Sequence, residues 1–230
     1  MWWTYNSKRP DGSVTQGGYA DHIRVRHQWA FLIPDEIDSI SAGPLLCAGL
    51  TVYAPLAREN VGSGTKVGVI GIGGLGHLAI QFAAALGADV TAISHSSSKQ
   101  SDALKLGAKT FIPLSALAQH VRCFDVIVVT ANNNGQNWAS YISALRAFGK
   151  LILVALPEED IKVPPHMFTG TQISVTGSVI GSRKEMKSML EVAAAKHVRP
   201  LTELLPLANV NEALAKVRNG TVRYRMVLGL

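Results

Sequence analysis

The chain has 230 residues, of which 47% are hydrophobic and 17% are charged, and its formal net charge is +6. This length allows one large domain, or one domain with part of another, and the apolar fraction is ordinary for a soluble globular protein. The lysines and arginines are scattered rather than clustered, and no aromatic–basic interleaving of the kind used to stack bases is found, which argues against nucleic acid as a partner.

The charge and the cysteines also bear on the ligand and the compartment. A positive surface favours an anionic ligand such as a nucleotide cofactor, although a solvated basic surface explains the charge equally well. Cys47 and Cys123 are the only cysteines. They are too few for a disulfide framework, which indicates a reducing compartment and predicts a cytoplasmic protein. No apolar stretch reaches the roughly 20 residues that span a bilayer, so we expect no membrane partner.

The first part of the chain predicts a loop, two short strands and a buried helix. Residues 5–18 are rich in turn-forming residues and predict a surface loop. Residues 19–25 alternate in part, and residues 31–33 form a short apolar run, so both predict strands. Residues 39–57 are apolar and contain several small residues, which predicts a buried helical stretch with interruptions at its glycines.

From residue 66 onwards, short apolar runs alternate with helical patterns. The predicted strands cover 67–70, 90–93, 110–112, 126–129, 151–154 and 174–178, and the predicted helices cover 75–86, 99–106, 138–147 and 184–196. Strands and helices that alternate at this spacing predict an α/β fold with a doubly wound parallel sheet of the Rossmann type. After a break at Pro200, a helix at 210–218 and a strand at 224–228 are predicted for a different subdomain.

A glycine-rich segment opens the helix that follows the first strand of this unit. Gly71, Gly73 and Gly76 have the spacing of the dinucleotide-binding fingerprint, with Gly74 and Leu75 between the last two. The first glycine allows a tight turn, the second lets the backbone approach a pyrophosphate, and the third lets helix and strand pack closely. The helix N-terminus then offers free N–H groups to the phosphates. The alternative is a glycine-rich turn that binds nothing.

The end of the second strand predicts NADP rather than NAD. In such a unit a carboxylate at this place usually holds the ribose hydroxyls of NAD, and none is present, since Asp89 lies at the other end of the strand. Ser94, Ser96 and Lys99 stand there instead and can offer hydrogen bonds and a positive charge to a 2′-phosphate. The serines also suit a helix N-cap, and the two interpretations are compatible.

Four segments together resemble the zinc-containing medium-chain alcohol dehydrogenases of the cinnamyl-alcohol type. They are TQGGYA at 15–20, PLLCAGLTVY at 44–53, KVGVIGIGGLGH at 66–77 and VRYR at 222–225. The resemblance implies a Rossmann sheet plus a remnant of a mostly-β catalytic domain. It assigns residues 1–57 to that remnant and its connecting helix, and residues 58–197 to the NADP-binding domain. Residues 198–230 form a C-terminal return segment toward the catalytic domain.

The resemblance further implies an NADP-linked interconversion of a primary alcohol and its aldehyde, assisted by a catalytic zinc. Cys47 matches the last of three zinc ligands, and Thr51 matches a residue near the nicotinamide. The resemblance places three further groups: Ser94, Ser96 and Lys99 at the 2′-phosphate, Val154, Ser178 and Ile180 at the nicotinamide pocket, and Arg225 near the pyrophosphate. It also implies a homodimer through the edge of the cofactor sheet, around residues 173–179.

The sequence departs from this family in its metal site. The segment that carries the other zinc ligands in the family does not precede the Gly-Gly-Tyr segment here, so we expect an N-terminally shortened chain of impaired activity. His22 and His27 are expected to be solvated rather than to replace those ligands, and Cys47 without partners is expected to be a small buried side chain.

One consequence and two alternatives accompany this departure. Leu45, Leu46 and Leu50 are expected to form an exposed apolar patch where a partner domain is lacking. The first alternative is a non-catalytic NADP-binding protein or partner subunit. The second is a zinc-independent reductase of the quinone-reductase branch, against which Cys47 argues, because that branch has no use for a ligand at this position.

Overall fold

The computed structural model describes residues 5–229. The first four residues of the predicted 1–57 segment and the last residue of the 198–230 segment therefore lie outside the described residues. At the centre are six strands: β1 (Lys66–Ile70), β2 (Asp89–Ser94), β3 (Thr110–Pro113), β4 (Phe124–Val129), β5 (Leu145–Leu153) and β6 (Ser174–Gly177). They form one parallel sheet in the order β3-β2-β1-β4-β5-β6, which confirms the predicted doubly wound Rossmann architecture.

Helices cover both faces of this sheet. The helices of the described residues are α1 (Ser39–Pro44), α2 (Leu50–Arg58), α3 (Gly76–Ala85), α4 (Gln100–Lys105), α5 (Trp138–Ser143), α6 (His166–Thr169), α7 (Arg183–Ala195) and α8 (Val210–Arg218), with short 3-10 turns at His27–Trp29, Ser97–Lys99, Leu114–Gln119 and Leu207–Asn209. Neighbouring residues of a strand enter opposite cores: Val128 packs with α2, α3 and α7, and Val129 packs with α5. This burial on both faces explains why the strands are continuously apolar.

The predicted helix at 138–147 is wrong at its C-terminal end. The helix ends at Ser143, and β5 begins at Leu145. Leu145 pairs in parallel register with Phe124 of β4, and its side chain is fully buried. Residues 145–147 therefore belong to the sheet, although their apolar pattern also suits a helix. For a short apolar run, periodicity alone does not distinguish a helix from a strand.

The return segment forms a small unit of its own. Its strands β7 (Thr202–Pro206) and β8 (Arg225–Gly229) pair in parallel and are joined through α8. The structure confirms the predicted helix at 210–218 and a strand near 224–228. The strand β7 was not predicted. Helix α1 packs beside both strands, so the return segment contacts the helical stretch that precedes β1.

The helical stretch Ser39–Arg58 is continuous. Asp38 caps its start by accepting a hydrogen bond from the Ser41 N–H at 2.8 Å, and a π-helical turn at Leu45–Gly49 takes the place of the predicted interruptions. Leu45 and Leu50 are 0% and 2% exposed, so the predicted exposed patch is wrong for both. The reason is that this stretch packs against α3 and α7 of the same chain.

The same stretch bears on the prediction that no apolar run is long enough for a membrane. It has 20 residues and a mean hydropathy of 1.5, which meets the length and composition of a membrane span and corrects that prediction. However, 61% of its apolar window is buried inside the protein. The core helix of a globular domain meets the same criteria, so length and composition alone do not mark it as a span.

The two strands predicted at 19–25 and 31–33 are absent from the structure, where residues 5–33 form turns, one short 3-10 helix and an isolated bridge between Lys8 and Val14. A strand needs a neighbour to pair with, and none lies beside these residues in the described portion of the chain. Ile23 and Leu32 are solvent-exposed at 70% and 94%, whereas Phe31 and Ile33 are half-buried against the core.

Candidate functional site

The candidate site lies where β1 and β4 stand side by side. The strand order reverses direction between them, and ligands of open parallel sheets bind beyond the carboxyl ends of the strands at this point. Residues 71–76, here called the glycine loop, leave the end of β1 and lead into α3. The fingerprint therefore has the strand-loop-helix context that gives it meaning.

Three glycines of this loop meet three different requirements. Gly71 has φ +93°, in the left-handed region that favours glycine. A Cβ at Gly76 would stand 1.9 Å from the Gly71 carbonyl oxygen, so helix and strand approach too closely for any side chain. A Cβ at Gly73 would meet nothing within 4 Å. The backbone at Gly73 thus borders open space, as an incoming pyrophosphate requires.

Contacts from distant parts of the chain hold the loop in place. The Thr130 hydroxyl, just beyond β4, donates to the carbonyl oxygens of Ile70 and Gly71 at 3.0 and 2.9 Å. The Arg225 Nε donates to the Gly74 carbonyl at 2.9 Å. Burial lowers the pKa of Arg225, and a charge on Cys47 would oppose this. The guanidinium therefore lies against the glycine loop.

His77 joins the glycine loop to the return segment. It is fully buried; its Nδ1 lies 2.9 Å from the Gly73 carbonyl, and its Nε2 accepts the Leu201 N–H at 3.2 Å. Because Nε2 accepts, the proton resides on Nδ1. Burial lowers the pKa of His77 to about 4, and its ring stacks on Tyr224 at 5.1 Å. The structure thus places it as a helix-packing residue.

The predicted 2′-phosphate residues cluster beyond β2. Ser94 is 3% exposed, and its hydroxyl accepts the Ser96 N–H at 3.3 Å. The Lys99 ammonium donates to the Ile72 carbonyl of the glycine loop at 2.7 Å, and burial lowers the pKa of Lys99. Asp89 is at the opposite end of β2, paired with Lys109. Lys99 therefore contacts the glycine loop, and the two serines lie close by. No carboxylate stands at this end of β2.

The predicted nicotinamide-pocket residues follow β5 and β6. The Val154 N–H donates to the Val129 carbonyl at 3.2 Å, and the Ser178 N–H donates to the Leu153 carbonyl at 3.0 Å. Ile180 has φ +50°, which is a strained conformation for a β-branched residue and is typical of functional sites. The structure thus brings Val154 and Ser178 to the same edge of the sheet. Thr51 lies on α2, where its hydroxyl donates to the Cys47 carbonyl at 2.8 Å.

An ion pair that the sequence did not reveal fastens α2 to the turn after β6. Arg58 contacts both carboxylate oxygens of Glu185, at 2.6 and 2.9 Å, and lies 3.5 Å from the Ser178 hydroxyl. Glu185 also closes a capping box with Ser182 at the start of α7. Arg58 is the main reason that the pKa of Glu185 falls to about 2. The sequence gave no signal for this ion pair, because Arg58 and Glu185 are 127 positions apart in the chain.

The described residues do not form a zinc site by themselves. Cys47 is exposed, so the prediction of a small buried side chain is wrong, because Leu45 and Ala48 take the buried positions of the same helical turn. Among residues 5–229 no group of three or more His, Cys, Asp and Glu side chains could hold a metal ion, whereas a catalytic zinc uses about three. His22 and His27 are exposed, as predicted.

A cavity of about 340 Å³ opens beside the 2′-phosphate residues. It lies between the ends of β2 and β3 on one side and the start of α5 on the other. His95, Leu114, Asn133 and Tyr141 are among its lining residues. A flat aromatic ring fits a volume of this kind.

Four residues near the loop were missed because their partners are remote. Thr130 could have been suggested by its place after the strand beside β1. Asp102 gave no local signal, and Arg223 and Tyr224 stood in the VRYR segment without a role of their own. The Tyr224 hydroxyl donates to Asp102 at 2.8 Å, and Arg223 pairs with Asp102 at 3.5 Å. Burial first, and then this hydrogen bond, raises the pKa of Tyr224 to about 12.

Comparisons with known proteins agree with this geometry. Residues 74–195 match the zinc-binding dehydrogenase family. The chain is 40% identical over 228 residues to NADP-dependent alcohol dehydrogenase C 1 of Mycolicibacterium smegmatis, across 98% of this chain and 65% of that protein. It is similar in structure to a cinnamyl alcohol dehydrogenase of Sorghum bicolor, with a TM-score of 0.90 and 32% identity over 95% of this chain and 63% of that one.

A second similar structure was solved with a bound cofactor. The CAD of Helicobacter pylori, complexed with NADP(H), gives a TM-score of 0.83 and 30% identity, over 94% of this chain and 62% of that one. The chain thus spans less than two thirds of the length of these relatives.

Proposed function

The chain belongs to the zinc-binding dehydrogenase family, and on that premise we propose that it binds NADP(H) as part of an alcohol dehydrogenase of the cinnamyl-alcohol type. The reaction is the interconversion of a primary alcohol and its aldehyde. The observation that carries the cofactor assignment is the open backbone at Gly73 beside Lys99, at a strand end that has no carboxylate. Because the chain spans 65% of its relative's length, the activity is a proposal for the whole protein.

Different residues contact different parts of the cofactor. The glycine loop offers its N–H groups and the start of α3 to the pyrophosphate, with Arg225 alongside. Ser96 and Lys99 bind the 2′-phosphate, and the cavity lined by His95 and Leu114 receives the adenine. Val154, Ser178 and Ile180 border the nicotinamide, as does Thr51. When bound, NADPH supplies a hydride to the carbonyl carbon.

The domain division follows the same logic. We propose that residues 58–197 are the cofactor-binding domain, and that residues 1–57 and 198–230 belong with a catalytic domain. The exposed apolar side chains of residues 19–32 support this division, because such side chains are normally covered in a complete enzyme. Cys47 alone does not make a metal site among residues 5–229. The cofactor-binding roles proposed for the residues above therefore do not depend on zinc. The free cysteines favour a cytoplasmic location.

A non-catalytic NADP-binding protein is the second candidate, favoured by the single family ligand at Cys47. Turnover separates the two: the purified chain, with zinc supplied, is tested for reduction of cinnamaldehyde by the loss of NADPH absorbance. Turnover supports the enzyme. Binding of NADPH without turnover supports the second candidate. Turnover without bound zinc would support a zinc-independent reductase instead.

The preference for NADP(H) is tested by titration. We expect the chain to bind NADPH more tightly than NADH, and Lys99→Gln to weaken NADPH roughly 10–100-fold, since a hydrogen bond to a charged group contributes about 1.5–3 kcal/mol. NADH binding should change little. Fluorescence of the bound nicotinamide gives both constants. The control is Lys105→Gln in α4, which removes the same charge outside the proposed site. Equal affinity of the wild type for NADH and NADPH would contradict the assignment.

We propose that a second copy of the chain covers the free edge of the sheet at β6. Val175 and Val179 are 36% and 70% exposed at this edge, and an uncovered apolar edge strand is open to pairing. Val179→Glu is expected to convert a dimer to a monomer in size-exclusion chromatography with light scattering. Val217→Glu, at an exposed valine on α8 (54%), should stay dimeric. A monomeric wild type would refute the dimer.

A further inference from the structure

We propose that Arg223, in the return segment, is a second cationic contact for the 2′-phosphate and helps Lys99 to select NADP(H) over NAD(H). The inference rests on the proposed function, since it assigns a specificity-determining residue to the same site. Arg223 lies 124 positions after Lys99 in the chain, and the fold brings the two together.

Both cations surround one aromatic ring. The Tyr224 ring centre lies 5.8 Å from the Lys99 ammonium and 5.7 Å from the central carbon of the Arg223 guanidinium. The same ring stacks on His77, which follows the glycine loop directly. Lys99 in turn contacts the loop carbonyl of Ile72 at 2.7 Å. Arg223 therefore lies at the mouth of the proposed phosphate site.

The charges around this ring call for an additional anion. Lys99 and Arg223 are two cations, and Asp102 is the carboxylate that faces both of them. Burial is the main reason for the lowered pKa of Lys99, and repulsion from Arg223 is the next, while Asp102 opposes both. Asp102 also accepts the Tyr224 hydroxyl at 2.8 Å, so its charge is shared. A phosphate dianion between the cations would relieve their repulsion.

Arg223 is held ready for such an anion. Its backbone N–H donates to Glu203 at 2.8 Å, and the Tyr224 N–H donates to the Leu201 carbonyl at 3.0 Å. Its side chain is 52% exposed and contacts Asp102 at 3.5 Å, which leaves guanidinium donors facing solvent. A guanidinium binds phosphate through two parallel N–H groups, and a fixed backbone reduces the entropy that binding costs.

The experiment measures the contribution of the 2′-phosphate directly. Adenosine 2′,5′-bisphosphate and adenosine 5′-monophosphate are titrated into the full chain by calorimetry, because they differ only in that group. We expect Arg223→Gln to weaken the bisphosphate about 5–20-fold and to leave the monophosphate unchanged, as for a charge-assisted hydrogen bond. Arg218→Gln, which removes the same charge from an exposed site on α8, should change neither.

The outcomes separate this inference from the proposed function. If Arg223→Gln weakens both ligands equally, or neither, the inference is wrong and Arg223 only anchors the return segment. If the wild type does not prefer the bisphosphate, the proposed function itself fails. Discrimination that is lost in Lys99→Gln but kept in Arg223→Gln would overturn the inference alone.

A second variant covers the case in which Arg223→Gln does not fold. Arg223→Lys keeps the charge beside Asp102 but cannot bind phosphate through two parallel donors. We expect it to reduce the preference for the bisphosphate about two- to fivefold, which is part of a charge-assisted contact. A preference equal to that of the wild type in a folded Arg223→Lys protein would overturn the inference.

Discussion

Gly76→Ala is expected to destabilise the fold and abolish cofactor binding together. The added Cβ would stand 1.9 Å from the Gly71 carbonyl oxygen and 2.9 Å from the Thr130 hydroxyl, and both belong to backbone or packed side chains that cannot swing away. Overpacking of this kind costs about 3 kcal/mol or more, which lowers the melting temperature of a chain of this size by roughly 6–12 °C. Thermal unfolding followed by circular dichroism measures the loss.

Gly73→Ala is the matched control, because it adds the same methyl group three residues earlier. Nothing in the described structure lies within 4 Å of that Cβ, so the free energy of unfolding should stay within about 0.5 kcal/mol of the wild type. NADPH affinity should nevertheless fall at least about tenfold, since the methyl group would occupy the space through which the backbone approaches the pyrophosphate. Binding of NADPH to Gly73→Ala with wild-type affinity would show that the pyrophosphate lies elsewhere.

The glycine loop was predictable because its requirements are local. A turn with positive φ, a close approach and an open backbone each select glycine at a fixed spacing, and the flanking strand and helix have their own periodicity. The same holds for the six strands of the sheet, whose burial on both faces makes them continuously apolar. The absence of a carboxylate after β2 could likewise be found from the sequence once that strand was placed.

Features that depend on remote partners were not predictable. Residues 19–25 can form a strand only if another strand pairs with them. The local sequence does not show whether such a partner strand is present, and the described residues provide none. Leu45 and Leu50 were expected on the surface, yet α7 buries them, because its packing on α2 cannot be inferred from either helix alone. The contacts of Tyr224 with Asp102 and His77 join residues more than a hundred positions apart, and no local pattern records them.

Acid should destabilise the fold through His77. Its pKa in the folded chain is about 4, against 6.5 for an unburied histidine, so the folded state favours the neutral ring and the unfolded state binds the extra proton. Stability is therefore full above pH 6.5 and is lost as the pH falls from about 6.5 to about 4. One pKa unit corresponds to about 1.4 kcal/mol, which gives a loss of roughly 2–3 kcal/mol between pH 6.5 and 4.5. Urea unfolding at a series of pH values measures it.

Variants at two histidines isolate this effect. His77→Gln should be less stable than the wild type at pH 7 but should show a much flatter dependence on pH, because the titrating ring is gone. His95→Gln, at an exposed histidine beyond β2, should keep the wild-type slope. Glu185 does not interfere, since its pKa of about 2 places its loss of stability below pH 4.5. An unchanged slope in His77→Gln would assign the acid sensitivity to other groups.

In chains that remain folded near pH 4, where His77 takes up its proton, the same protonation should weaken cofactor binding. A proton on Nε2 turns this atom from an acceptor into a donor that faces the Leu201 N–H at 3.2 Å, whereas the Nδ1 contact with the Gly73 carbonyl survives. The broken contact lies at the start of the return segment, which carries Arg223 and Arg225. If that segment loosens, the hydrogen bond from Arg225 to the Gly74 carbonyl is expected to break. NADPH affinity should therefore fall with the pH in the wild type and stay flatter in His77→Gln.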